Sequence, residues 1–245
     1  MAAMSEPDYL EATAKVDHRN AGLRALAERV GDAATAREAA IRLHDYVRDE
    51  IRFGFCAQMY DQSASQVLKA GIGYGLTKST LFVALLRALG IPARQHFVDV
   101  SADILHGVMA LRAPFADHCY VEVLLDEGWV RVDSFAVDLA MAEAGRARLR
   151  REGRLIGYGV HIDGLSVWDG RRDAFCQFVD NGAVEAFSAT DRGLYRDIDE
   201  FHEKAEGWNR VGLLARLFMP AFVSAANARC EALRHAPGRI ATAAE

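Results

Sequence analysis

Apolar residues recur at helical spacing through most of the first ninety positions. Leu23, Leu26 and Val30 mark a helix over 20–30. Ala36, Ala40, Leu43 and Val47 mark a longer one that ends near Glu50, with Asp32 as its expected N-cap. Ser63 or Ser65 caps a short helix carrying Val67 and Leu68. The strongest pattern runs from Thr80 to Leu89, where Leu81, Leu85 and Leu89 form one stripe and Phe82 and Leu86 lie beside it. Gly90-Ile91-Pro92 stops that helix, since glycine accepts a left-handed cap and proline cannot continue the hydrogen-bond ladder. Residues 1 to about 19 read as a polar lead-in, and 51–60 as a mixed, aromatic linker.

Beyond Pro92 the period falls to two. Gln95 to Val100 alternates as a half-buried strand, and 101–116 reads as loop. His118–Leu125 and Trp129–Phe135 alternate around Asp126-Glu127-Gly128, which predicts a β-hairpin. His118, Tyr120 and Glu122 share one of its faces with Trp129, Arg131 and Asp133, so that Glu122 can pair with Arg131. Val121, Val123, Val130 and Val132 face the core. A helix over 137–151 follows, then a glycine-rich stretch 157–170, a candidate strand 175–179, and a long helix over 209–233 with a kink expected at Pro220. Helices on an antiparallel sheet make an α+β fold, and no internal repeat or low-complexity linker divides the chain. The expectation is one domain over 1–245, with a core of about 33–180 and a helical C-terminal extension of about 190–235.

Ahead of the central helix stands Gly71-Ile72-Gly73-Tyr74-Gly75-Leu76-Thr77-Lys78-Ser79. Such a turn lets a ligand approach the backbone closely, and the unpaired N–H groups of the helix start suit an anion or an oxyanion. Composition narrows the chemistry. The 245 residues are 51% hydrophobic and 26% charged, with a net charge of −5, which disfavours general nucleic-acid binding. The basic cluster Arg146, Arg148, Arg150, Arg151 and Arg154 reads as a solvated helix face, with phosphate binding as its alternative. Cysteines 56, 119, 176 and 230 are too dispersed for a zinc site or a disulfide framework. The acidic N-terminus lacks a signal-peptide pattern. The apolar segment 211–226 contains Arg216 and Pro220 and is too short to span a bilayer, so the expectation is a cytoplasmic protein that meets no membrane. No motif points to a metal, nucleotide or flavin, and no cofactor is expected.

A histidine and an aspartate across a hairpin form half of a catalytic triad: the carboxylate fixes the imidazole tautomer and leaves its other nitrogen as a base. Three motifs in order then carry a resemblance. They are Gly73-Tyr74 with Thr77-Lys78-Ser79 and Ala84-Leu-Leu-Arg-Ala-Leu-Gly-Ile-Pro-Ala-Arg94; His118-x-Tyr-Val-Glu-Val; and Trp129-Val-Arg-Val-Asp133. Over roughly 40–138 the chain resembles the transglutaminase-like superfamily. The resemblance implies a papain-like arrangement, with a cysteine-bearing helix packed on an antiparallel sheet that bears histidine and aspartate. Its members include amide hydrolases, acyl and amine transferases, and cyclases. His118 and Asp133 fall on the family's histidine and aspartate, but its cysteine falls on Gly75.

Three readings follow. In the first, a non-thiol enzyme uses His118 and Asp133 as a general base and the glycine turn as an oxyanion site on a small carbonyl-containing metabolite. Its reaction is isomerisation, elimination, retro-aldol cleavage, ring closure or water-activated hydrolysis, and loss of the thiol leaves room for substrate at Gly75. In the second, the protein is an inactive homologue that binds a ligand or partner. In the third, it is a thiol amide hydrolase or acyltransferase inactivated by replacement of cysteine with glycine. Tyr74, Gly75, Leu76, Lys78, Gln95, His96, His161 and Trp168 are the candidate substrate-binding residues, from their proximity in the implied fold.

Overall fold

Local capping chemistry sets the first helices. Asn20 Oδ1 accepts hydrogen bonds from Gly22 N (2.9 Å) and Leu23 N (3.4 Å) and starts α1 (Ala21–Val30). The second helix, α2 (Ala36–Glu50), is capped by Thr35, whose Oγ1 accepts from Glu38 N at 3.1 Å, rather than by Asp32. Residues 31–35 are non-helical, and a capping side chain reaches only the amides two or three residues on. Ser63 begins α3 (Ala64–Ala70), with its own amide donating to Gln66 Oε1. The structure, a computed structural model, describes residues 9–179, 190–205, 208 and 213–235.

The central helix α4 (Gly75–Ala88) is buried along every face from Gly75 to Arg87, beyond the single stripe that the leucine spacing predicts. A helix clad on all sides needs no polar stripe. Its apolar side chains join Leu23, Leu43 and Val67 of α1, α2 and α3 in the main core. Gly90 closes it at φ +74°, its amide bonded to Arg87 O.

The sheet has the order β5-β4-β3-β8 and is antiparallel throughout, from β3 (Ala93–Ser101), β4 (Phe115–Leu125), β5 (Gly128–Val132) and β8 (Asp191–Tyr195). Val121, Val123, Val130 and Val132 pack into the α4 core. The register sets Glu122 against Arg131, but their side chains take other partners. Glu122 binds Arg94 (2.5 Å) and His96 (2.8 Å), while Arg131 binds Asp173 at 2.7 Å.

Two short strands lie within expected loops: β1 (Arg52–Phe53) pairs in parallel with β2 (Ile72–Gly73), directly before α4. Two residues are too few to show an alternating pattern. Instead of a strand at 175–179 there is an irregular segment, tied to the sheet by a bridge between Ala174 and Val132. After α5 (Leu139–Glu152), a tight hairpin of β6 (Ile156–Gly157) and β7 (Val160–His161) turns through Tyr158 at φ +56°. A short α6 (Ile198–Lys204) precedes α7 (Leu213–Arg234), which runs on through Pro220; positions 209–212 of the expected long helix lie outside the described residues. Asn227 clamps α7 to the segment after β1, accepting from Phe55 N and donating to Phe55 O, both at 2.9 Å. Arg234 adds a 2.6 Å ion pair to Asp138.

Candidate active site

The hairpin register puts Val132 opposite Val121, so Asp133 leaves the ladder beside Tyr120, two residues from His118 along β4. His118 Nε2 lies 2.8 Å from Asp133 Oδ2, and neither side chain is more than 3% exposed. The irregular segment after β7 supports the carboxylate. Cys176 N donates to Asp133 Oδ1, and Asp133 N donates to Ala174 O at 3.0 Å. A carboxylate only accepts, so the neutral imidazole carries its proton on Nε2 and keeps a lone pair on Nδ1.

Nδ1 faces the start of α4. A Cβ placed on Gly75 would lie 2.8 Å from His118 Nδ1, 2.9 Å from Cε1 and 3.3 Å from Gln177 Oε1. The backbone of Gly75 is ordinary helix, so glycine serves here to make space rather than for a positive φ. That space is taken by the imidazole itself. The expected vacancy at Gly75 is therefore corrected: the ring packs against the helix start. No hydrogen bond among the described residues takes up the amide N–H of Gly75 or Leu76, as expected for the first turn of a helix.

Gly75, Leu76 and His118 together line a cavity of about 330 Å³. Tyr74 stands at its edge, its ring 5.2 Å from that of Phe55, and burial raises its hydroxyl pKa above the ordinary value. The remaining wall comes from distant segments: Phe53 of β1 and Phe55 just after it, Ile104 and Met109 after β3, and Met219 and Phe222 of α7. Its polar groups are few, namely Arg112, Asp117, His118 and Gln177 besides the Tyr74 hydroxyl. Gln177 is held by a 2.9 Å bond from Nε2 to Gly159 O, and Asp117 Oδ1 accepts Trp208 N at 2.8 Å.

Residues 24–134 match the family model of the transglutaminase-like superfamily. That match is confined to 24–134, less than half of the chain. Among solved structures, a "putative cysteine protease" of Cytophaga hutchinsonii is similar over 54% of this chain and 43% of that one, at 17% identity and a TM-score of 0.43. A "putative protease" of Parabacteroides distasonis is similar over 55% of this chain and 27% of that one, at 16% identity and a TM-score of 0.36. The chain thus matches less than half the length of either. No curated protein matches it.

The expected site residues divide. Tyr74, Gly75 and Leu76 reach the cavity with His118, and Asp133 stands behind the imidazole. Lys78 does not: it is wholly buried, its Nζ donates to Arg48 O at 3.2 Å, and burial pulls its ammonium down to about 7. Gln95 is turned into the α4 interface, donating to Thr80 Oγ1 at 3.2 Å. His96 lies on the other side of β3, bridging Glu122 (2.8 Å) and Asp191 (2.7 Å) and stacked on Tyr120. Burial alone would lower its pKa, but those two carboxylates outweigh it and raise it. His161 accepts from Asp163 N in the small hairpin, and Trp168 fills the core beside His44 and Phe82. These five are corrections to the expected pocket. Nearness along the sequence or to a turn does not set which way a side chain points.

A second histidine network adjoins Asp133. His44 Nε2 is 2.7 Å from Ser134 Oγ and Nδ1 is 2.9 Å from Asp45 Oδ1, the composition of a Ser-His-Asp triad. Both His44 and Ser134 are fully buried, and burial lowers the His44 pKa. Ser134 directly follows Asp133, so this network braces the turn that presents the carboxylate to His118.

None of the four cysteines lines the cavity. Burial raises the pKa of every one, with Cys176 and Cys230 each pushed up to about 12, which is the reverse of an activated thiol. No group of three or more His, Cys, Asp or Glu side chains suited to hold a metal occurs among the described residues. Likewise, no described helix is long and apolar enough to cross a membrane.

Proposed function

We propose that this protein is an acid–base enzyme that works without a thiol nucleophile on a small carbonyl compound bound in the 330 Å³ cavity. The observation that carries the reading is a histidine at the wall of an apolar cavity, with one nitrogen tied to a buried carboxylate and the other turned to the start of α4, where the Gly75 and Leu76 amides have no partner among the described residues. His118 Nδ1 takes the proton from the carbon beside the carbonyl. The electron pair of that C–H bond moves to the carbonyl oxygen, which becomes an enolate, and Asp133 stabilises the imidazolium. The Gly75 and Leu76 amides, at the positive end of α4, hold the enolate oxygen. Return of the proton to a different carbon gives isomerisation; departure of a β-substituent gives elimination. A general base of this kind contributes about 10²–10⁴ in rate, and an oxyanion donor roughly 3–4 kcal/mol.

A binding-only reading draws on a different observation, the close packing of the imidazole on Gly75. Solvent exchange separates the two. Carbonyl compounds incubated with the protein in D₂O should gain deuterium at the α-carbon, and His118→Ala and Asp133→Asn should each slow that gain by about 10²–10⁴. Retention of full exchange by both variants would remove the dyad from the mechanism.

A further inference from the structure

The cavity wall carries information about what enters it. Phe53, Phe55, Ile104, Met109 and Met219 make its body apolar, and two of these five are methionines, which adapt to irregular apolar shapes. An apolar cavity of ~150 Å³ accepts benzene, so about 330 Å³ holds on the order of a dozen carbon-sized atoms. The apolar surface continues outward along α7. Phe222, in the wall, is 40% exposed, and Leu217 and Phe218, one turn earlier on that helix, are each 74% exposed. An acyl or alkyl chain matches this combination of apolar volume and apolar lip.

One group breaks the pattern. Arg112 belongs to the wall, is exposed, and has no hydrogen bond or ion pair among the described residues. Other arginines around the sheet and α7 are engaged: Arg94 with Glu122, Arg131 with Asp173, Arg192 with Asp99 and Arg234 with Asp138. The wall carboxylate, Asp117, accepts the Trp208 amide. A guanidinium fork at the edge of an apolar cavity is suited to a planar oxyanion, which it grips with two charge-assisted hydrogen bonds.

We infer that the ligand of this site is an amphiphilic anion, with a chain of about ten carbons in the cavity and a carboxylate or phosphate gripped by Arg112. The inference rests on the cavity's being the substrate site, as in the proposed function, and adds the substrate class. Arg112 is then the specificity-determining residue, and it takes no part in proton transfer.

Calorimetric titration of the full chain with decanoate, decyl phosphate, decanol and decylammonium, each below its micelle concentration, tests this. Hydrogen bonds to a charged group are worth about 1.5–3 kcal/mol, so decanoate or decyl phosphate should bind at least about tenfold more tightly than decanol. The stronger of the two identifies the anion. Arg112→Gln should erase that preference without weakening decanol, and Arg112→Lys should keep part of it. Met109→Trp, which fills the cavity, should weaken all four ligands. Equal or tighter binding of decanol or decylammonium, unchanged anion preference in Arg112→Gln, or no binding of any of the four overturns the inference.

The two proposals fail separately. Asp133→Asn, behind the imidazole and outside the cavity wall, should keep decanoate affinity while losing proton exchange. A selective Arg112 site in a protein whose Asp133→Asn variant still exchanges would leave the ligand class standing and the dyad mechanism refuted.

Discussion

His118 and His44 are close in composition and opposite in circumstance. Each has one ring nitrogen bonded to an aspartate, at 2.8 and 2.9 Å, and each is almost wholly buried. His44 even adds a serine hydroxyl at 2.7 Å, which makes its network the nearer copy of a hydrolase triad. Yet its ring is enclosed by Phe82, Phe135 and Trp168, with centroids 5.6–6.2 Å away, and Ser134 has no exposed surface. His118 has a cavity on one side and the bare backbone of Gly75 on another. Hydrogen-bond distances therefore do not separate a reactive histidine from a structural one; what the spare nitrogen faces does.

The sharpest way to break this contrast is to exchange the expected consequences. His44→Ala should cost about 2–5 kcal/mol of stability, because it leaves a core cavity and strands the Ser134 hydroxyl without its partner. The folded fraction should keep its α-proton exchange rate, apart from what a loosened Asp133 turn removes. Urea unfolding and exchange per folded molecule check the two halves. A large loss of exchange with little loss of stability would make His44 the functional histidine.

Lys78 extends the contrast along α4, one turn from Gly75 on the sealed side. Its folded pKa is about 7 and its ordinary value 10.5, so between these pH values the unfolded chain binds more protons than the folded one. Stability should rise from pH 7 to 10.5 on this account, and the penalty of burial is greatest at pH 7 and below. Lys78→Met keeps the length of the side chain and removes the charge. It should gain roughly 1–4 kcal/mol near pH 6–7, and the gain should vanish toward pH 10.5. Denaturant midpoints at a series of pH values measure this. A variant destabilised at every pH would show that the bond to Arg48 O outweighs the buried charge.

On the open side, Gly75→Ala should cost about 1–3 kcal/mol, because the new Cβ meets a ring already tethered to Asp133. Alanine's better helix propensity, up to about 1 kcal/mol, offsets part of that. The displaced ring should also lower proton exchange. A stable, fully active Gly75→Ala protein would mean that the imidazole swings freely and that its packing on the helix start is incidental. Gly75→Cys meets the same obstacle, so installing a thiol should not by itself create acyl-transfer activity.

Much of the framework was legible in the chain. The Leu81–Leu89 spacing with its Gly90–Pro92 stop delimits α4, and the valine alternation around Asp126-Glu127 delimits the hairpin. Those two elements suffice to bring His118 and Asp133 within reach of each other and to set a glycine at a helix start, because short-range periodicity and turn chemistry act within a few residues.

The pocket was not legible in the same way. Alternation tells that Gln95 and His96 face opposite sides of β3, but only the docking of α4 decides that Gln95 enters the helix interface and His96 the outer surface. Gln177, Met109, Arg112 and Phe222 carry no motif and lie on segments far apart in sequence. They meet because the Asn227 clamp lays α7 over the strand β1 region and the Ala174 bridge draws the 174–178 segment across the hairpin. Local sequence determines elements, since the energies involved are local. A cavity is the space those elements leave between them, and only their packing decides its walls.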